Sequence, residues 1–370
     1  MKNIINQINK KIVPISILIF SSFIGILIME IGLRLFNHND EWRVVDQANI
    51  LRNFQFSYDI SKLYDSKEIR ADYYRNEFGL RDNCISTKDI EILTIGGSTT
   101  DQRYVPLRFT FQSVLEKRLK EFDANFGCVT NAGIDGHSTW GHLFSFNNWF
   151  PLIPELRPKY ILLYVGINDA NFKIANSPNK CCDTNNASGF KVFLKKFEII
   201  KGLLPIYRLL QSKGFMGEDM SAAYSNHWSN YSEADYTVKE INKMTNILSY
   251  DNSLAFKSRV EKILEYISDM GAIPICVTQP HKYVMKKENE KYGIPNILGE
   301  GYSGIDYDYS IREINSLLKD LCGKNTLDLY SHSFKEKHFY DEVHTTISGS
   351  IEIGEEMATF IISNLKTRGN

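Results

Sequence analysis

The residue with the most chemical promise is a serine on a glycine turn. Ser98 sits in GGSTT (Gly96 to Thr100), directly after a short apolar run. Glycines permit a tight turn there, so the hydroxyl is exposed and backbone N–H groups point at any reacting atom. On its own such a turn is an ordinary loop or helix cap. Three further places supply other functional groups: Gly133 in NAGIDG, Asn168 in GIND, and Asp341 with His344 in FYDEVHTTISGS. Each has a plain structural reading too. An asparagine after a strand is commonly a turn residue. The Asp-x-x-His pair could be two solvated loop residues, or with His338 part of a metal site, but no third ligand is convincingly spaced. Taken together, a serine, a small-residue N–H donor, a side-chain amide and an Asp/His pair are the parts of serine acyl-transfer catalysis. No metal or cofactor is called for. The chain has neither GxxxxGK[ST] nor GxGxxG, which argues against nucleotide binding.

These residues need strands and loops to deliver them. Ile90, Ile92, Leu93 and Ile95 form a nearly continuous apolar run rich in β-branched residues, the pattern of a buried parallel strand. Further strands are expected over Phe126 to Thr130, Tyr160 to Val165, Ile273 to Thr278 and Thr326 to Leu329. Helical spacing recurs on Phe111, Val114, Leu115, Leu119 and Phe122, and again on Phe256, Val260, Ile263, Leu264 and Ile267, closed by Gly271. A last helix carries Ile347, Ile351, Ala358, Ile361 and Leu365. Strands alternating with amphipathic helices predict a three-layer α/β/α, doubly wound parallel sheet, flavodoxin-like in kind. Ligands then bind beyond the carboxyl ends of the strands, where Ser98, Gly133 and Asn168 fall. The stretch from about 170 to 249 lacks strand character and is too long for a plain loop, so an insertion is expected there. Its Tyr224, Trp228, Tyr231 and Tyr236 could stack on sugar rings or simply pack.

Composition narrows the class. The chain has 370 residues, 43 Lys plus Arg against 44 Asp plus Glu, and 43% hydrophobic residues. Such a chain is not disordered, and near-zero charge removes the electrostatic footprint of a nucleic-acid binder. A mean hydropathy of −0.27 conceals an uneven distribution. From Ile12 to Met29 there is no charged residue, a helix of roughly 27 Å, near the thickness of a bilayer core. Lys2, Lys10 and Lys11 precede it, which predicts a cytoplasmic N-terminus. A cleaved signal peptide and a buried core helix are the rival readings. The organisation expected is a cytoplasmic tail over 1–11, a transmembrane anchor over 12–36, a juxtamembrane segment over 37–88 and a catalytic domain over 89–368 outside the cytoplasm. Without Lys2, Lys10, Lys11, Arg34 and Glu30 the remainder has a net charge of −4, which gives no support for anionic partners. Of six cysteines, Cys128 and Cys276 lie in apolar runs and read as buried free thiols, while adjacent Cys181 and Cys182 read as pairing with distant partners. His137 and His142 read as packing or surface residues, and Asp169 as a partner of local backbone groups.

The ordered blocks GGSTT, NAG, GIND and DEVH resemble those of the SGNH hydrolase family, the GDSL-type esterases, over about residues 89–365. One departure is that Gly97 stands where that family has the Asp of GDS. The N-x-x-G-x-R stretch at Asn76, Gly79 and Arg81 is similar to membrane-tethered bacterial members, a class associated with acyl groups on surface carbohydrate. The resemblance implies a catalytic set of Ser98, Asp341 and His344, and an oxyanion hole from Ser98, Gly133 and Asn168. It implies hydrolysis of O-acyl esters, foremost O-acetyl groups on carbohydrate. The alternatives are an acyltransferase acting on a cell-surface polysaccharide, or a non-catalytic carbohydrate-binding or assembly protein. An acylated small molecule or carbohydrate, and the membrane through the N-terminal helix, are the expected partners; nucleic acid is not.

Overall fold

The computed structural model describes residues 20–35, 42–46, 48–81, 84–170, 197, 199–200, 233–240, 250–288, 290–297 and 302–368. The chain divides into two compact units, Met1–Arg43 with Asn185–Glu218, and Val44–Thr184 with Asp219–Asn370. In the first, residues 20–35 are helical and expose Phe20, Phe23, Ile28 and Leu35. Glu30 is buried and accepts from Arg34 Nε at 2.8 Å and from the Ile199 amide at 3.1 Å. No helix among the described residues is long and apolar enough to cross a membrane. The span expected over 12–36 lies outside the described residues at 12–19 and at 36.

The second unit is built on five parallel strands. They are β3 (Ile90–Gly96), β4 (Cys128–Asn131), β5 (Tyr160–Tyr164), β6 (Ile273–Val277) and β9 (Thr326–Leu327), in the order β4-β3-β5-β6-β9. Four helices cover them: α2 (Phe111–Phe122), α4 (Tyr250–Asp269), α5 (Gly304–Cys322) and α6 (Ile347–Arg368). Phe111, Leu115 and Leu119 of α2 and Ile353, Met357 and Ile361 of α6 share one core with Ile92, Leu162, Tyr164 and Val277. The alternate strand residues Leu93, Ile95, Ile161 and Leu163 are also buried, so each strand needs apolar side chains on both faces. That requirement is why the strands read as unbroken apolar runs. Counting sheet strands in chain order, the arrangement is 2-1-3-4-5. The chain moves outward from β3 to β4, then returns to the far side of β3 with β5. The carboxyl ends of β3 and β5 therefore flank the topological switch point, where such sheets bind ligands.

Several elements differ from the sequence expectations. The stretch expected as a juxtamembrane segment contains an antiparallel pair, β1 (Phe54–Asp59) and β2 (Arg70–Arg75), within the same compact unit as the catalytic blocks. Its Tyr58, Ile60, Leu63, Ala71 and Tyr73 form a second core with Tyr104. Helix α5 has no counterpart in the periodicity reading, because buried Asp306, Asp308, Ser310 and Asn315 interrupt its apolar face. A capping box from Ser303 and Asp306 starts it. A small hairpin, β7 (Val284–Lys287) and β8 (Glu290–Gly293), is likewise new. The free-thiol reading of Cys128 and Cys276 is corrected. Cys84 is bonded to Cys128 and Cys276 to Cys322, with Cα atoms 5.9 and 6.2 Å apart. Burial of a cysteine does not reveal its partner, which comes from a sequence-distant element. Cys181, Cys182, Tyr224, Trp228 and Tyr231 lie outside the described residues, with most of the expected insertion. Tyr236 is described and is buried against Ile294, Ile297 and Tyr307, its hydroxyl donating to the Lys282 carbonyl at 2.9 Å. It belongs to a core and offers no free face to a sugar.

Candidate active site

Strand β3 ends at Gly96, and a four-residue helix, α1 (Ser98–Asp101), begins immediately after Gly97. Ser98 thus occupies the first helical position, where the amide has no partner within the helix. Its Oγ lies 2.7 Å from His344 Nε2. His344 Nδ1 is 2.6 Å from Asp341 Oδ2, and the other carboxylate oxygen accepts from the amides of Val343 (2.8 Å) and His344 (2.6 Å). One carboxylate therefore folds the 341–344 turn and fixes the imidazole. The turn is closed behind it by the Tyr340 amide donating to the His344 carbonyl at 3.0 Å. Burial pushes the His344 imidazole down, but the charge and hydrogen bond of Asp341 outweigh it. Asp135 and Glu342 act in the same direction, and the net effect holds His344 above the ordinary histidine value.

The three expected oxyanion donors are not equivalent. Asn168 lies after β5, across the switch point from Ser98. Its Nδ2 donates to the His137 carbonyl at 2.9 Å, leaving its second N–H for another acceptor. A Cβ on Gly97 would come 2.4 Å from that Nδ2. Gly97, a departure in the sequence, thus leaves room for the Asn168 amide in the position it holds. Gly133 is also required by close approach, since a Cβ there would be 2.5 Å from the Asp101 amide nitrogen. Its own N–H, however, donates to Asn131 Oδ1 at 2.8 Å. The structure thus brings Gly133 against the nucleophile helix with its amide engaged. Replacing Asn168 by alanine is expected to lower the turnover of an ester about 10²–10³-fold with little change in KM, which steady-state kinetics would measure.

Asp101 and Arg75, absent from the sequence reading, hold these pieces together with Arg81. Asp101 closes α1 and is fully buried among arginines. Arg75 from β2 reaches its Oδ1 at 2.7 Å, and the same guanidinium donates to the carbonyls of Gly79 and Gly133. One side chain thereby ties the hairpin to both the nucleophile helix and the Gly133 loop. Arg81 donates to the carbonyls of Asp101 (2.6 Å), Gln102 (2.8 Å) and Val105 (2.7 Å), satisfying the exposed end of α1. Burial pushes the Asp101 carboxyl up, but Arg75, Arg103 and Arg81 outweigh it and hold it below the usual carboxylate value. The N-x-x-G-x-R stretch acquires a physical role here. Asn76 Oδ1 accepts from the Phe78 and Leu80 amides, Gly79 turns at φ +81°, and Arg81 is aimed at α1.

Gln102, held at φ +49°, connects the two halves of the catalytic pair. Its Oε1 accepts from the Phe111 amide, while Nε2 donates to Thr345 Oγ1 (3.1 Å) and Ser350 Oγ (2.9 Å). Thr345 directly follows the catalytic imidazole. A buried glutamine next to a serine block is a signal in principle, but nothing local reveals what it will reach.

His137 and His142 are buried packing residues, whereas Asp169 is satisfied by the sequence-distant Thr139 and Arg259 rather than by local backbone groups. His137 is buried, its Nε2 2.8 Å from the Ala48 carbonyl, and burial lowers it to about 4. His142 is buried and likewise lowered by burial. Asp169 accepts from the amide and hydroxyl of Thr139 and pairs with Arg259 at 3.3 Å.

No protein-family model matches the chain, and no curated protein matches it. Solved structures similar to it include an acetyl xylan esterase, 11% identical with a TM-score of 0.38, covering 73% of this chain and 98% of that one. A member of the lipolytic G-D-S-L family from Veillonella parvula is 17% identical with a TM-score of 0.38, covering 74% and 97%. An acetylxylan esterase from Geobacillus stearothermophilus is 12% identical, also with a TM-score of 0.38, covering 73% and 93%.

Proposed function

We propose that the chain is a serine esterase of the SGNH type that cleaves O-acyl esters, foremost O-acetyl groups on carbohydrate. The observation that carries this is the unbroken chain from Ser98 Oγ to His344 Nε2 (2.7 Å) and from His344 Nδ1 to Asp341 (2.6 Å), at the switch point of the sheet. His344 takes the Ser98 proton as Oγ adds to the ester carbonyl carbon. Asp341 stabilises the imidazolium so formed. The oxyanion is met by the Ser98 amide and the second N–H of Asn168, while the Gly133 amide, donating to Asn131 Oδ1, holds the loop beside them. Collapse of the intermediate breaks the ester C–O bond, and His344 returns its proton to the leaving alcohol. Water then adds to the acyl-enzyme, releasing the acid and restoring Ser98. A small net charge suits an uncharged, carbohydrate-like substrate.

Two measurements on the full chain in detergent test the reading. Turnover of p-nitrophenyl acetate is expected, as is modification of Ser98 by a fluorophosphonate, located by peptide mass spectrometry. No turnover together with no modification would sink it. An acceptor oligosaccharide addresses the acyltransferase alternative, since acetylated product without matching acetate release would replace hydrolysis by transfer. We also propose that the N-terminal stretch anchors the chain in a membrane with the catalytic unit outside the cytoplasm. Support comes from the uncharged run Ile12 to Met29 and the exposed apolar side chains of residues 20–35. Protease shaving of intact cells should degrade the catalytic unit, and full protection would contradict that placement.

A further inference from the structure

The ring of Tyr340 stacks on the imidazole of His344, with centroids 5.7 Å apart and planes 10° from parallel. Tyr340 also stacks on Tyr64, at 5.7 Å and 19°. Tyr104 meets Tyr340 edge-on at 6.4 Å and 82°, and its carbonyl accepts from the Tyr64 hydroxyl at 2.7 Å. The contacts continue through Tyr58, edge-on to both Tyr104 and Tyr73, to the Tyr73 hydroxyl, which donates to Asp101 Oδ1 at 2.8 Å. A run of rings from the N-terminal hairpin thus spans from the nucleophile helix to the catalytic base. Nothing in the transfer of a proton between Ser98 and Asp341-held His344 uses this run.

We propose that Tyr340, braced by Tyr64, is a positioning residue that holds the His344 imidazole plane in line with Ser98 and favours the protonated ring formed during the reaction. The inference rests on the esterase reading for its catalytic meaning, but its effect on the imidazole does not depend on turnover. Asp341 and Ser98 hold the His344 ring through Nδ1 and Nε2, yet both bonds lie near one line across the ring and leave it free to tilt about that line. A flat neighbour parallel to it removes the tilt. The electron-rich face of a phenol ring also attracts a cation, so it favours imidazolium over imidazole. Other charged groups also act on His344. Asp341 and Glu342 belong to its own turn, Asp135 comes from the loop after β4 with Arg103 paired to it at 3.4 Å, and Lys282 faces Asp341 and Glu342 from the loop after β6. None of them is altered when Tyr340 is changed, so a shift on substitution reports the ring itself.

The test compares the full chain with Tyr340→Phe and Tyr340→Leu. The His344 ring is titrated by ¹⁵N NMR, its signals assigned through their loss in His344→Gln, and the rate of Ser98 modification by a fluorophosphonate is followed against pH. Tyr340→Leu is expected to move the His344 midpoint down by about half a pH unit and the acid limb of labelling with it. Its maximal labelling rate should fall about ten-fold. Tyr340→Phe keeps the ring and should match the parent in both. Should Tyr340→Leu fail to fold, Tyr64→Leu removes the brace instead, with a lower maximal rate and a smaller shift in the same direction expected. An unchanged midpoint and rate in the folded variant overturns the proposal, and so does a Tyr340→Phe variant that behaves like the leucine one. Failure of the esterase reading is a separate result: the parent chain itself would show no Ser98 modification, while the NMR midpoints would still answer the question about Tyr340.

Discussion

Replacing Ser98 by alanine is expected to lower kcat for ester hydrolysis about 10⁶-fold, and His344→Ala by a similar factor. The magnitude follows from how the three residues work as one unit. Ser98 has no nucleophilicity worth the name until His344 accepts its proton, and the 2.7 Å contact is the only route for that transfer shown in the structure. Removing both residues should therefore cost little more than removing one. Asp341→Asn should cost less, about 10⁴-fold, because it spoils the tautomer while leaving the geometry in place. The pH dependence carries a sign. His344 must be neutral to act as base, and Asp341 holds it above the ordinary histidine value. The acid limb of kcat/KM is thus expected above the usual imidazole value of about 6.5, with activity rising as pH increases through it. Asp341→Asn should move the limb down. A limb below the ordinary value in the parent chain would contradict the geometry. Steady-state kinetics over a pH series measures all of this.

Replacing Arg75 by methionine is expected to destabilise the folded unit by about 3–5 kcal/mol, read from urea or thermal unfolding. Arg75 and Asp101 are both almost completely buried and lie 2.7 Å apart. Taking both charges out of water is costly, so the pair is not a large net stabiliser. Breaking it is another matter, because Asp101 would keep its charge in a dry setting with only the longer 3.3 Å ion pair to Arg103 left, and the Gly79 and Gly133 carbonyls would lose their donor. The double variant Arg75→Met with Asp101→Leu should therefore recover part of the lost stability. It should not recover activity, since the Arg75 guanidinium that ties the hairpin to the Gly133 carbonyl is gone. The linkage to pH follows from the depressed Asp101 carboxyl. Its contribution is fully present above the unfolded carboxylate value of about 3.9 and is lost as pH falls through the lower folded value. In Asp101→Leu that acid-dependent part should be missing.

The candidate set was legible in the primary structure because Ser98, Gly133 and Asn168 follow sheet strands and Asp341 with His344 precede the last helix. Short β-branched runs had to be strands buried on both faces, and their ends had to carry the reactive groups. Ser98, Gly133 and Asn168 then follow the carboxyl ends of β3, β4 and β5, while Asp341 and His344 come from the loop before α6. Local chemistry also marked Gly271 as a helix stop, and it adopts φ +71° there. The helix over Gly304–Cys322 was not legible, since polar residues buried by tertiary partners mask its period.

What the amino-acid order determined by itself was the sheet, its main helices and the identity of the reactive side chains, because these depend on periodicity and turn chemistry within a few residues. Only the tertiary structure decided what holds those side chains in register. Arg75 reaches Asp101 across 26 residues and Gly133 across 58, and Gln102 reaches Thr345 across 243. No local pattern encodes such pairings, because a buried charge or amide is satisfied by whatever the fold brings to it. The same reason explains the cysteines: Cys276 is buried and Cys128 half-buried in their strands, but nothing local pointed to their partners, Cys322 and Cys84. It also explains the segment before the first sheet strand. Its aromatic and basic residues look like a polar linker in sequence, and become the brace behind both Ser98 and His344 once Tyr73, Arg75, Arg81 and Tyr64 meet the elements they support.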